Sequence, residues 1–271
     1  MRVGLRLRPF MDLELTDKVV IVAGETTGIG AAITRAVAAE GAVTVIVDSD
    51  VEAGNLLHSQ FPGSELIIAE LASAEGCYAA VDRTAKRFAR IEGLVNSSSW
   101  LGDKIGREHG NPNQYIESVE RNLLHYYNMA HFALPYLKKS RGNIVNVASK
   151  SDSGGQGRSS EYASVRGAIL ALTREWAAEL AKYGIRVNAI VPVEAITPLY
   201  PQPRNTFSEP EERLQPIPGK IPLEKRTTTP QEIAAIAVFL LSARAAHITA
   251  QHIFVSGAGA QLDTMLADAA Q

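Results

Sequence analysis

Apolar residues along this chain follow two alternating rhythms. Short runs have hardly a polar interruption, and longer stretches place apolar residues every three or four positions. The short runs predict strands at Lys18–Ala23, Val43–Asp48, Glu65–Ala69, Gly93–Asn96, Asn143–Ser149, Arg186–Val191 and His252–Val255. The longer stretches predict helices at Gly30–Glu40, Gly76–Arg90, Pro112–Leu137, Ser160–Tyr183 and Pro230–Leu241, the last opening on a proline suited to a helix start. Strands separated by helices of this length imply crossover connections. The expected fold is therefore α/β, a doubly wound parallel sheet with helices on both faces.

One stretch breaks the rhythm. Between Pro198 and Pro222 six prolines precede Ile221, which predicts a long irregular segment. It follows the carboxyl end of a strand, where open α/β sheets bind ligands, so a substrate lid over about 198–222 is expected.

Bulk properties narrow the picture. At 271 residues and 46% hydrophobic, the chain can bury one large core, and a single domain over 11–271 is the simpler reading. A net charge of −2 favours neither nucleic acid nor an anionic membrane as a partner. Cys77 is the only cysteine, which excludes an intrachain disulfide and a cysteine-rich metal site. No apolar run approaches the roughly 20 residues of a membrane span, and the cytoplasm is the expected compartment. Residues 1–10, with Arg2, Arg6 and Arg8, read as a disordered extension rather than a targeting segment, with Met11 as a functional start. His125 and His131 do not share a helical face, so no metal is expected.

Two groups of residues carry chemistry. Gly24, Gly28 and Gly30 lie between the first strand and the first helix, where glycines let the backbone approach a pyrophosphate at a helix N-terminus. Asp48 ends the second strand; a carboxylate there accepts hydrogen bonds from ribose hydroxyls and repels a 2′-phosphate. Thr27, Ser49 and Asp50 add no cation, so NAD rather than NADP is the expected cofactor. Farther along, Tyr162 precedes Arg166 by one helical turn, which puts both side chains on one face. A phenol becomes a usable base near neutral pH only when a positive charge stabilises its phenolate. The Ser149 hydroxyl would hold the substrate oxygen beside it.

Ser149, Tyr162 and Arg166 resemble the Ser–Tyr–Lys set of the short-chain dehydrogenase/reductase family, with arginine at the lysine position. The glycine spacing is similar to that family's Thr-Gly-x-x-x-Gly-x-Gly, with Ala23 at the threonine, and the likeness runs from Met11 onward. It implies a Rossmann-like fold with NAD held by Gly24, Thr27, Gly28, Ile29, Gly30 and Asp48. It further implies Glu70 and Leu71 at the adenine, Asn96 stitching the central strands, and Ser98 near the ribose. Pro192 and Thr197 would lie at the nicotinamide carboxamide, and Asn122 would support a proton-relay water. The two long helices around 112–137 and 160–183 resemble those that pair in the family's dimers and tetramers, so a homo-oligomer is implied.

Within the family, the segments Asn122–Tyr127, Gly155–Gly157, Leu172–Trp176 and Thr197–Tyr200 most resemble L-fucose dehydrogenases and related aldose 1-dehydrogenases. Trp100, Gln156, Glu194 and Tyr200 follow strand ends and are expected to border a polar sugar pocket. Departures from the family pattern gather at the active region: Ser97–Ser99 for Asn-Ala-Gly, Arg166 for lysine, and Ser256-Gly257-Ala258 for Asp-Gly-Gly. Arginine's planar fork is not interchangeable with an ammonium, and a serine forced to positive φ at 99 would be strained. Reduced turnover is therefore expected, with Arg166→Lys raising it. Two readings stand: an NAD-dependent sugar or polyol dehydrogenase, or a non-catalytic NAD-binding or assembly protein that keeps the fold.

Overall fold

The computed structural model describes residues 12–24, 26–100, 111–150, 160–193 and 221–258. Its centre is set by β1 (Val19–Ala23), whose five residues are all buried because the strand is covered on both faces. Around it lie β2 (Val43–Asp48), β3 (Glu65–Ile68), β4 (Gly93–Asn96), β5 (Asn143–Val147), β6 (Arg186–Pro192) and β7 (His252–Val255). All pair in parallel, in the spatial order β3-β2-β1-β4-β5-β6-β7. The order reverses direction between β1 and β4, and a crevice opens there beyond the strand ends.

The helices cover both faces. Helix α1 (Gly28–Ala39) and α7 (Pro230–Leu241) lie on one side, where Ile33, Val37, Ile233 and Ala237 pack on Val20, Val22 and Val145. On the other side are α3 (Ala74–Phe88), α5 (His125–Ser140) and α6 (Ser160–Leu180). They bring Val81, Met129, Leu137, Ile169 and Trp176 onto Ile21, Leu94 and Ile144. Each such side chain, fully removed from water, contributes about 1.5–3 kcal/mol. Truncating one at the centre, such as Ile21→Ala, is expected to cost about 2–5 kcal/mol.

Local chemistry sets where the helices start. Asp50 caps α2 (Val51–His58) by accepting from Ala53 N–H, and Ser73 caps α3 by accepting from Gly76 N–H. Asn111 with Gln114 opens α4 (Pro112–Val119), and Thr229 with Glu232 opens α7, each pair forming a reciprocal capping box.

Several element ends shift by one to three residues, and three differences from the sequence expectation stand out. Helix α2 is not foreseen: it has only eight residues and carries Gly54, so its apolar period is brief. The expected single helix from Pro112 is interrupted by a π-turn at Glu120–Leu124 between α4 and α5. The fifth strand ends at Val147, leaving Ser149 in the loop beyond it. No helix among the described residues is long and apolar enough to cross a membrane.

Candidate active site

The crevice is shaped first by what β1 cannot carry. Gly24 has φ +88°, and a Cβ there would lie 2.2 Å from the Cβ of Ser98. The two chain segments therefore touch backbone to backbone, and only glycine fits. Gly28 opens α1 with φ +52°, and Thr27 at the N-cap makes no side-chain capping bond. The first turn of α1 contains no acidic residue either. The positive end of its dipole thus lies beside Thr27 on the crevice wall. That arrangement suits a pyrophosphate. Ile29 and Gly30 are buried behind it.

Beyond this turn lies a cavity of about 230 Å³ lined by Thr26, Thr27, Asp48, Glu70, Leu71 and Ser98, among others. Asp48 is oriented by backbone donors: Thr26 N–H reaches one carboxylate oxygen at 2.7 Å and Asp50 N–H the other at 3.2 Å. Glu70 accepts from Ala72 N–H at 3.1 Å, while Leu71 is buried in the core. Trp100 also lines the cavity, with the Arg121 guanidinium 5.1 Å from its ring centroid. Trp100 thus shares a cavity wall with Asp48 at one place and Ser99 at another.

A buried polar ladder aligns the strands with the helix behind them. Asn96 Nδ2 donates to Asn146 Oδ1 at 3.0 Å, and Asn146 Nδ2 donates to Thr173 Oγ1 at 2.9 Å. Thr173 in turn donates to Ile169 O. The ladder joins β4, β5 and α6, and it fixes which face of α6 meets the sheet.

On that face Tyr162 and Arg166 stack, with the guanidinium carbon 4.6 Å from the phenol ring centroid. Arg166 is only 2% exposed. It is held by named partners: Nη1 donates to Tyr126 Oη at 3.2 Å and to Val147 O at 3.3 Å, and Nη2 donates to Ser99 Oγ at 2.5 Å. Tyr126 donates its own proton to Val147 O at 2.6 Å, so it can accept from the guanidinium. Burial would raise the Tyr162 pKa. The Arg166 charge and hydrogen bonds from Ser99, Ser149 and Arg166 outweigh that effect and leave the phenol below its usual 10.

Asn122 sits in the π-turn, fully buried. Its carbonyl oxygen accepts from Trp100 N–H at 2.8 Å, and its amide donates to Ser118 O at 3.1 Å. Its side chain thereby ties the β4 loop to the helix. The neighbouring His125 is held neutral, its pKa pushed down to about 3 by burial first and the Arg166 charge second.

The structure therefore brings Ser149, Tyr162 and Arg166 together, and gathers Gly24, Thr27, Gly28, Asp48, Glu70, Leu71 and Ser98 around one crevice. Pro192 ends β6, in register with Val255. Gln156, Glu194, Thr197 and Tyr200 lie outside the described residues, as do Glu25 and the expected lid up to residue 220. Ser99, Tyr126 and His125 are the site neighbours that sequence reading did not assign. The signal for Ser99 was available, since it and Arg166 depart from the family pattern together and prove to be in contact. Ser99 is also absent from the residues with positive φ, so the strain expected there does not arise.

Comparison with known proteins gives the same outline. A family model described as enoyl-(acyl carrier protein) reductase matches residues 23–258. L-fucose dehydrogenase of Bos taurus is 34% identical over 252 residues, covering 93% of this chain and 92% of that protein. L-fucose dehydrogenase of Oryctolagus cuniculus is 35% identical over 245 residues, covering 90% and 85%. Among solved structures, a Cj0485 dehydrogenase superposes with a TM-score of 0.86 at 39% identity, covering 93% of this chain and 98% of that one.

Proposed function

Because the chain belongs to the short-chain dehydrogenase/reductase family, we propose that it is an NAD-dependent oxidoreductase taking hydride from the carbinol carbon of a sugar or polyol, with an L-fucose-like aldose as the favoured substrate. The observation that carries this reading is the phenol of Tyr162 stacked on a buried, fully charged Arg166 and held below its ordinary pKa. The sugar class is supported by the relatives named L-fucose dehydrogenase. The nicotinamide cofactor is supported by a 3-ketoacyl-(acyl-carrier-protein) reductase from Brucella melitensis, solved as a complex with NADH, which matches at 26% identity and a TM-score of 0.82.

The residues present fit such a cofactor. The glycine-bearing N-terminus of α1 suits the pyrophosphate, and the oriented Asp48 carboxylate offers acceptors to the adenosine ribose while repelling a 2′-phosphate. Glu70, Leu71 and Ser98 line the same crevice, and Trp100 on its wall is assigned to the sugar. When bound, NAD supplies the hydride acceptor. In the chain itself, Ser149 holds the substrate hydroxyl and Tyr162, as phenolate, removes its proton. Arg166 keeps the phenolate charged, and Asn122, assigned to a proton-relay water, also braces the β4 loop beside it. Thr197 and Pro192 are assigned to the carboxamide side, and Gln156, Glu194 and Tyr200 to the sugar hydroxyls. The close fit of Arg166 supports a working arginine site rather than the reduced turnover inferred from the lysine pattern.

The test is hydride transfer by purified protein, with NAD and NADP in turn, across a panel of aldoses including L-fucose. Oxidation of L-fucose with NAD, and a narrower NAD preference in Asp48→Ala, are the expected results. NAD binding measured by calorimetry with no sugar oxidised would favour the non-catalytic reading instead.

A further inference from the structure

A charged guanidinium can stabilise a phenolate, but it cannot carry the proton away, because arginine stays protonated at any physiological pH. Arg166 is also sealed from the crevice at 2% exposure. Something else must connect the Tyr162–Arg166 pair to water. Ser99 touches every part of that problem. Its hydroxyl accepts from Arg166 Nη2 at 2.5 Å, it helps hold the Tyr162 phenol below its ordinary pKa, and it forms part of the cavity wall. A serine oxygen has two acceptor sites and one donor proton. One acceptor site is taken by Arg166; while Tyr162 is protonated the second can take its hydroxyl and the serine proton can point into the cavity, and once Tyr162 is a phenolate that proton turns to it.

We propose that Ser99 is the positioning residue that joins Arg166 to Tyr162, and that its hydroxyl passes the Tyr162 proton to water in the cavity. In this chain two side chains divide the work of one, with Arg166 supplying a fixed charge and Ser99 a movable proton. After Tyr162 has taken the substrate proton, its O–H bond breaks towards Ser99 Oγ. The Ser99 O–H bond breaks in the same step, and its proton goes to a cavity water. Tyr162 is a phenolate again, and Ser99 then turns its new proton towards it. Among the described residues, Ser149 also neighbours Tyr162 and is assigned to the substrate oxygen. Tyr126 spends its proton on Val147 O, and His125 stays neutral against the Arg166 charge.

The inference rests on the oxidoreductase reading for the source of the proton, though not for the contacts among Ser99, Arg166 and Tyr162. Two measurements therefore test it. The first is tyrosinate absorbance against pH, with the Tyr162 contribution isolated by subtracting Tyr162→Phe; it needs no turnover. Ser99→Ala should move that titration upward by about one pH unit, the equivalent of one hydrogen bond to a charged group, whereas Ser99→Thr should leave it in place. The second follows single turnovers with NAD and L-fucose, reading proton release with an indicator dye. Release should keep pace with hydride transfer in the unmodified protein and in Ser99→Thr, and lag behind it in Ser99→Ala. A slower Ser99→Ala with an unmoved titration would mean that Ser99 acts only as packing, and the proposal fails. A shifted titration with no lag would remove the proton path. If the unmodified protein oxidises no sugar yet the titration shifts, the function is wrong while the joining role of Ser99 stands.

Discussion

Arg166 is among the largest fully buried side chains, and a buried charge is tolerated only when its hydrogen bonds are met. Tyr126, Val147 and Ser99 meet three of them, at distances and directions an ammonium on a shorter reach cannot reproduce, while Nε has no partner among the described residues. Arg166→Lys is therefore expected to lower turnover, the reverse of what the family pattern suggested. It should also lower Tm, since each lost bond to a charged group is worth about 1.5–3 kcal/mol, or roughly 2–4 °C per kcal/mol for a chain of this size class. A faster, equally stable lysine variant would count against the fit described here. His125 gives a second prediction at this scale. Its folded pKa is about 3 against an ordinary 6.5, so below 6.5 the unfolded chain binds a proton that the folded chain refuses. Stability contributed by neutral His125 is complete above 6.5 and falls as pH drops towards 3, by about 1.4 kcal/mol per pH unit at most. Tm measured across that window should fall less steeply in His125→Gln than in the unmodified protein. The sequence alone could name Arg166 as unusual. It could not reveal Tyr126 as its partner, because a separate helix supplies it.

At the scale of elements, the periodic signals translated well where they were long and poorly where they were short. The Val- and Ile-rich strands left little ambiguity, since β1 and β5 are buried at every residue. Helix α2 hides in the sequence because its stability depends on a capping aspartate and on Leu57 packing with Ala31 and Ile46, contacts distant along the chain. The π-turn spans only Glu120–Leu124, too few residues for its wider repeat to register in the apolar period. The loop after β7 shows a departure from pattern with a direct cost. Ala258 adopts φ +71°, a left-handed conformation that burdens any residue with a Cβ. Ala258→Gly is expected to stabilise the protein by about 1 kcal/mol. A denaturant midpoint that moves to lower concentration would contradict it.

For the molecule as a whole, the apolar residues left outside its cores are unevenly placed. Tyr115, Ile116, Leu124 and Tyr127 are all exposed along the α4–α5 segment, with the Tyr127 ring stacked on His131 at 5.9 Å. We expect this face to pair with a second copy, and Tyr127→Asp with Ile116→Asp to yield monomers by sedimentation. Equal sedimentation of the variant and the unmodified protein, both as monomers, would oppose that assignment. The Asn96–Asn146–Thr173 ladder has a consequence of another kind. Thr173 lies two helical turns beyond Arg166, about 10 Å along the axis at roughly 1.5 Å per residue. It works like the index mark on a dial, fixing the angle at which α6 presents Tyr162 and Arg166 to Ser149. Thr173→Val keeps the shape but leaves the Asn146 amide without its acceptor, so the helix can turn to find relief. The catalytic groups would then fall out of alignment together, from a site none of them touches. Such a variant should remain folded by circular dichroism while its kcat drops more than its KM changes.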